Sequence, residues 1–378
     1  MNPASLLPSL PPDSRLLVIR LRSLGDIVLL TPSLRMVKQW RPDLRLSVLI
    51  EDRFQEILRN NPCVDEVLVL RRKKGVAKTL ELLRLARELR SKRFALCLNL
   101  HGGPTSAHLT RLSGARWKAG FFNFRSQGIY DLSAPNAQTI LSQPVIHTAE
   151  HQAAPFFWLG LPLQPVPPSE VFVTPAGVAL WQEKLRHFGL PPGRDYAILH
   201  PPALFRTKQW PPEQFARLGE YLEQSAGLSV IYSAGPGESA CLDEVERAAG
   251  TPIRRPIRRL EGLGLEGFIA AIAGARLFVG NDSGPAHLAA ALGRPLVVIF
   301  GSSNASIWKP WAGSELHPGG AASQRENIFS VVQNPYECNP CPGDRCYRFE
   351  RPECILSVTF DQVRAAADLV LSHARQMS

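Results

Sequence analysis

The segment L-F-V-G-N-D-S-G-P-A-H-L-A-A-A-L-G-R-P-L-V-V-I-F, residues 277–300, decides the fold. Leu277–Val279 is the start of an apolar strand, and it runs into the polar turn Gly280-Asn281-Asp282-Ser283-Gly284. A helix follows. Ser283 stands where a short hydroxyl side chain caps free N–H groups, and Pro285 falls in the first turn, where its missing N–H costs little. The helix carries small and apolar residues, stops near Gly293, and leads into a second buried strand, Leu296–Phe300. This is a βαβ unit with a polar turn at the carboxyl end of its first strand, the end at which open α/β sheets bind ligands. The free N–H groups of the helix start favour an anion such as a phosphate. Asp282 and His287 bring a carboxylate and an imidazole to the same corner. The plain alternative is a well-capped helix with an incidental histidine.

The same alternation extends in both directions. Upstream, Arg15–Arg20 reads as a strand that breaks at Leu21–Asp26. A helical pattern follows over Ile27–Trp40, and Pro32 either kinks it or marks a second helix start. Strands are expected at Leu46–Ile50, Val67–Leu70 and Phe94–Leu98, with helices at Phe54–Asn60, Leu80–Arg93 and Thr148–Leu159. Residues 120–144 carry mixed signals and receive no assignment. The run L-P-L-Q-P-V-P-P-S-E, residues 161–170, holds four prolines and marks a domain boundary. Beyond it the pattern restarts with helix Ala176–Phe188, strand Tyr196–His200, helix Pro212–Gln224, strand Leu228–Tyr232 and helices Ser239–Ala249 and Leu265–Ala273. The chain therefore reads as an α/β protein of two doubly wound, Rossmann-like domains. Residues 1–14 are expected to be a flexible lead-in, 15–165 the first domain, 166–358 the second, and 359–378 a C-terminal helix.

The totals agree with this. A chain of 378 residues, 45% hydrophobic and 20% charged, is ordinary globular material long enough for two cores. The net charge of +10 points to anionic partners. No recognisable nucleic-acid module accompanies it, and nucleic acid is not expected as a partner. No apolar run reaches the roughly 18 residues of a membrane span, and no signal peptide is read at the start. Seven cysteines, an odd number, suit a reduced, cytoplasmic compartment.

Four polar loops carry chemistry. Arg20-Leu21-Arg22-Ser23-Leu24-Gly25-Asp26 follows the first strand. Asp26 there stands at a helix start that keeps it ionised, so it serves either as a cap alone or as an acceptor of a substrate proton. Asn99-Leu100-His101-Gly102-Gly103-Pro104 ends another strand, with glycines that let a ligand approach the backbone. Arg206-Thr207-Lys208-Gln209-Trp210 offers a cation and a hydroxyl suited to phosphate oxygens, or is a solvated loop. The opening segment is the fourth. Cys338-x2-Cys341-x4-Cys346-x7-Cys354 has enough thiolates for a structural zinc but lacks the paired C-x2-C spacing, so a reduced loop or a disulfide is the favoured reading. The basic runs Arg71–Lys74 and Arg254-Arg255 with Arg258-Arg259 read as solvated faces or as attraction to anionic headgroups.

Taken together and in this order, the loops resemble glycosyltransferase family 9, the ADP-heptose:lipopolysaccharide heptosyltransferases. R-L-R-S-L-G-D at 20–26, N-L-H-G-G-P at 99–104, T-K-Q-W at 207–210 and F-V-G-N-D-S-G-P-A-H-L-A-A-A-L-G-R-P at 278–295 carry the resemblance. It implies a GT-B fold, two Rossmann-like domains facing across a cleft, with the last helix free to pack back on the first domain. It implies inverting transfer of heptose from ADP-heptose to a lipid-linked lipopolysaccharide core at the cytoplasmic face of the inner membrane, by a peripheral enzyme that needs no metal or other cofactor. On that mapping Asp26 is the general base, and Thr207 and Lys208 hold the donor diphosphate. Glu238 binds ribose, Leu263 packs on adenine, and Asp282, Ser283, Gly284 and His287 border the diphosphate and ribose. Arg22, Ser23, Gly25, His101 and Gly102 line the acceptor side. The competing expectations are a nucleotide-sugar epimerase on the same architecture, a transferase of the family with another sugar donor, and a binding protein without turnover.

Overall fold

The computed structural model describes residues 2–249, 256–314, 328–341 and 343–376. The chain divides after Phe172 into two compact units, with Gly313 and Ser314 returning to the first.

In the first unit, six strands form a parallel sheet: β1 (Arg15–Ile19), β2 (Arg45–Glu51), β3 (Glu66–Leu70), β4 (Leu96–Asn99), β5 (Trp117–Phe121) and β6 (Leu132–Ala134). Their order is β3-β2-β1-β4-β5-β6. The central strands are apolar on both faces, as a sheet covered by helices requires: Leu16, Leu17, Val18 and Ile19 of β1 are all buried. One apolar layer joins Leu17, Ile19, Leu49, Leu85, Leu89, Phe94 and Leu109.

In the second unit the strands are β7 (Tyr196–His200), β8 (Ser229–Ser233), β9 (Arg258–Leu260), β10 (Leu277–Asn281), β11 (Leu296–Ile299) and β12 (Phe329–Val332), in the order β12-β11-β10-β7-β8-β9. Counted within its own unit this is again 3-2-1-4-5-6, the order of dinucleotide-binding sheets. The helix Phe360–Gln376 lays Val363, Ala367, Val370 and Leu371 on β10, β11 and β12 and on the helix Pro212–Gln224.

Pro32 resolves as a second helix start. The helix Leu24–Val28 ends, and Thr31–Trp40 begins with the proline in its first turn. The unassigned stretch 120–144 contains the end of β5, all of β6 and the helix Ala137–Leu141. Further elements that were not expected include the helix Pro104–Leu112, the start of β5 at Trp117, and the strands β9 and β12. Arg258 and Arg259, read as a solvated basic run, form the start of β9, while Arg254 and Arg255 lie outside the described residues.

The lead-in is a correction. Residues 3–9 form two short helical turns, and Leu6 and Leu7 are fully buried. The Leu7 N–H donates to the Leu159 carbonyl at 3.0 Å. The Arg41 guanidinium donates to the carbonyls of Leu7 and Leu10 at 2.9 and 2.8 Å. Two leucines in a row before the first strand are apolar area that folding takes out of water.

Candidate functional site

Strand order makes one position in each sheet special, the gap where successive connections leave in opposite directions. In the first sheet this lies between β1 and β4, and in the second between β7 and β10. Ile19 pairs with Asn99 across the first gap, and Gly280 with His200 across the second. The four polar loops of the sequence are therefore the four loops that leave the carboxyl ends of these strands, two at each switch point.

At the first switch point, Arg20 is the residue after β1. Its guanidinium pairs with Asp26 Oδ1 and donates to the Leu100 carbonyl beyond β4, tying the two loops together. Asp26 is the third residue of the helix Leu24–Val28, where its Oδ2 accepts from the Ser23 N–H at 2.9 Å and the Ser23 hydroxyl at 3.0 Å. It caps the helix and carries an ionised carboxylate at once. Burial pushes its pKa up, but the Arg20 charge and the Ser23 bonds outweigh burial and hold it below the usual carboxylate value. Gln152, from the helix Thr148–Trp158, donates to the Asp26 carbonyl at 2.9 Å. Arg22 and Ser23 are exposed and Gly25 is buried.

Asn99, fully buried at the end of β4, organises the second loop. Its Oδ1 accepts from the N–H groups of His101 and Gly102 at 2.9 and 3.3 Å, while its amide donates to Ser106 and Tyr130. Gly102 has φ +71°, and a Cβ there would sit 2.5 Å from the Phe124 ring. His101 is driven down to a pKa of about 4 by burial and then by the charges of Arg20 and Arg22, so it is a neutral imidazole at pH 7. His151, its ring centroid 4.5 Å from that of Phe121 and tilted by 31°, is lowered by burial and by Arg20 as well.

At the second switch point, Lys208 Nζ donates to Asp282 Oδ2 at 2.7 Å, and Ser303 donates to the same oxygen at 2.6 Å. Asn281 closes β10 and clamps the neighbouring loop, accepting from the Trp210 N–H at 3.0 Å and donating to the Pro201 carbonyl at 2.6 Å. Ser283 occupies the N-cap position of the helix Gly284–Ala291 in extended backbone, but its hydroxyl makes no capping bond. Ser283 Oγ is buried and has no hydrogen-bond partner among the described residues. His287 is buried on that helix. The Thr207 hydroxyl, expected at a phosphate, donates to the Gly343 carbonyl and accepts weakly from Ser302, so it anchors the loop that carries Lys208.

Glu238 follows β8, and its Oε2 accepts from the Gly235 N–H at 2.8 Å. Leu263 precedes the helix Gly264–Ala273 and packs on Gly267. Cys338, Cys341, Cys346 and Cys354 line one cavity of about 280 Å³ that Thr207 also borders. All seven cysteines are free thiols, and among the described residues no group of three or more His, Cys, Asp or Glu is placed to hold a metal ion.

The sequence reading named Arg20, Asn99 and Asn281 within their loops but not as site residues, and it passed over Gln152 and Ser303 entirely. Arg20 had a signal, being the first residue after a buried strand and six before an acid. Gln152 had none, because it reaches Asp26 from a helix 126 residues away.

Comparison with known proteins agrees with this geometry. The sequence model of "Glycosyltransferase family 9 (heptosyltransferase)" matches residues 82–330, well over half of the chain. "Lipopolysaccharide heptosyltransferase 3" of Escherichia coli is 28% identical over 294 residues, covering 76% of this chain and 84% of that protein. In fold, the chain resembles the glycosyl transferase family 9 protein from Veillonella parvula, with a TM-score of 0.78 and 22% identity over 98% of this chain and 99% of that one. It also resembles the E. coli ADP-heptose lps heptosyltransferase II, with a TM-score of 0.76 and 20% identity over 96% and 99%. The two Rossmann-like units are thus those of the GT-B architecture.

Proposed function

The chain belongs to glycosyltransferase family 9, the heptosyltransferase family, and on that premise we propose that it transfers heptose from ADP-heptose to a hydroxyl of a lipopolysaccharide core. The observation that carries the reading is the pair of switch points: one presents an ionised carboxylate, the other an ammonium beside a helix start. Family membership favours transfer to an acceptor over epimerisation or mere binding.

In this reading the acceptor oxygen attacks the anomeric carbon as the bond to the diphosphate breaks. The hydroxyl proton goes to Asp26 and ADP leaves, and a single displacement inverts the anomeric centre. A carboxylate held as low as Asp26 is a weak base but is fully ionised at neutral pH. That suffices, because the attacking hydroxyl becomes strongly acidic only as its bond to carbon forms. Charge grows on the leaving diphosphate. Lys208 and the first N–H groups of the helix Gly284–Ala291, with the unspent Ser283 hydroxyl, are disposed to take it. The cation this step needs is supplied by Lys208, and no redox or group-carrying cofactor enters.

Glu238 lies just past the second strand of its sheet, where dinucleotide folds place the acid that binds ribose hydroxyls. One of its oxygens is held by Gly235, which leaves the other for the sugar. Leu263 faces adenine, and Asp282, Gly284 and His287 complete the donor site. Arg22, Ser23, Gly25, His101 and Gly102 form the acceptor side. Because His101 is neutral, the positive charge there comes from Arg20 and Arg22. No helix among the described residues is long and apolar enough to cross a membrane, and we place the enzyme at the cytoplasmic face of the inner membrane, beside a lipid-linked acceptor.

The test is Asp26→Asn. It abolishes heptose transfer and leaves ADP affinity unchanged; wild-type turnover in the variant refutes the base and the mechanism with it.

A further inference from the structure

The helix Gly75–Ser91 has two unlike faces. Its inner face buries Glu81, Leu85, Ala86 and Leu89, and Leu85 and Leu89 belong to the apolar layer of the first sheet. On the outer face Val76, Leu80 and Leu83 are 77%, 61% and 49% exposed. Steps of four and three residues keep these side chains within about 60° of one another around the axis, opposite the buried face. Single exposed aliphatics are ordinary, but three in one stripe are a feature.

The stripe is bracketed by cations. Arg71, Arg72, Lys73 and Lys74 precede the helix and are all exposed. Arg87 and Arg90 continue the outer face beyond Leu83 and are exposed too. Residues 71–91 contain eight Arg or Lys and two Glu. Both glutamates are drawn to Arg84, each at 2.7 Å, and eight cations against two acids leave the segment strongly positive.

We propose that the outer face of the helix Gly75–Ser91, with the basic run before it, docks this enzyme on an anionic lipid bilayer. Val76, Leu80 and Leu83 enter the boundary between headgroups and acyl chains, while the lysines and arginines on either side reach the lipid phosphates. Charge complementarity selects this occupant. A nucleic acid would use the cations and leave the aliphatic stripe in water. A second copy of the chain would bring two strongly positive segments together. The proposal rests on the transferase reading in one respect, that a lipid-linked acceptor gives docking its use.

The experiment is co-sedimentation of the full chain with vesicles of phosphatidylcholine alone and with added phosphatidylglycerol. The wild type binds the anionic vesicles and not the neutral ones. The triple variant Val76→Ser, Leu80→Ser, Leu83→Ser and the separate variant Lys73→Gln, Lys74→Gln each bind anionic vesicles roughly tenfold or more weakly, since both the apolar and the charged contacts contribute. Thermal melts confirm that these surface variants are folded. Equal binding to neutral vesicles overturns the proposal, as does wild-type affinity in the triple serine variant or self-association in place of vesicle binding. Turnover on a detergent-dispersed acceptor is measured alongside and is unchanged by both sets of substitutions. If the wild type binds vesicles but shows no turnover there, the transferase reading fails and the docking surface stands.

Discussion

Lys208 Nζ stands 2.7 Å from Asp282 Oδ2, in a pair whose carboxylate is only 7% exposed. The cation proposed for the donor diphosphate is thus held in place by an acid of the opening segment, across the gap between β7 and β10. Lys208→Met is expected to weaken ADP binding by about 1.5–3 kcal/mol, the range of a hydrogen bond to a charged group. It also leaves the buried Asp282 carboxylate without its cation, held only by the Ser303 hydroxyl, which costs stability. The double variant Lys208→Met, Asp282→Asn separates the two effects. It regains thermal stability but not ADP affinity, as calorimetric titration and a melt will read. Recovery of both together would make the pair purely structural.

Arg20 sets the protonation of Asp26. Burial alone would raise the carboxyl, and Arg20 with Ser23 brings it below its ordinary value. In the wild type Asp26 is therefore ionised throughout the neutral and mildly acidic range, and loss of kcat on its account comes only below the usual carboxylate pKa. Arg20→Met removes the largest lowering influence and leaves burial, so the acid limb of the kcat profile moves to higher pH. The same shift has a stability sign. A depressed carboxylate stabilises the fold above its unfolded pKa, and that contribution is lost as pH falls through the folded value. The variant has less of it to lose. An acid limb unmoved in Arg20→Met would detach Asp26 from the rate.

The proposed transfer draws its positive charge from Lys208 and a helix start. A chelator is accordingly expected to leave turnover unchanged. The same assay bears on Cys338, Cys341, Cys346 and Cys354, which share a cavity with Thr207 and so abut the loop carrying Lys208. Loss of activity on chelation, restored by zinc, would assign a metal to those thiols and tie it to the donor loop.

The central strands and their loops were legible because burial on both faces leaves near-continuous apolar runs, such as Leu16–Ile19 and Leu277–Val279, each ended by a polar turn. The four polar loops were each legible as the end of a strand, but that they pair into two switch points follows from strand order, which no local stretch of sequence carries. The strands that escaped lie at sheet edges or next to one. The short β6 forms one edge beside β5, which itself carries Lys118 and Gly120, and β9 begins with Arg258 and Arg259. Edge strands are short and charged because they face water, so they lack the pattern that marks a strand. In β9 the arginines are not idle: Arg258 pairs with Glu223 at 2.9 Å and Arg259 with Asp243 at 2.7 Å. Those acids lie on neighbouring helices, a relation that no local window contains. The pairing of Arg20 with Asp26 was within reach of a local reading; the bond from Gln152 was not.

The docked N-terminal segment yields the last prediction. Leu7 is fully buried, and Leu7→Ala should cost about 2–5 kcal/mol in chemical denaturation, the range for a buried leucine. Gly160 offers a sharper test. It holds φ +109°, and a Cβ placed there would collide with the Ala4 carbonyl oxygen. Gly160→Ala therefore pays for backbone strain and for displacing the segment. In a chain lacking residues 2–10 the second cost vanishes, because the segment has already gone, and only the strain remains, roughly 1–2 kcal/mol. The two changes must then be less than additive, which is the signature of groups in contact. Simple additivity of the deletion and the substitution would mean that residues 2–10 do not rest on Gly160 in solution.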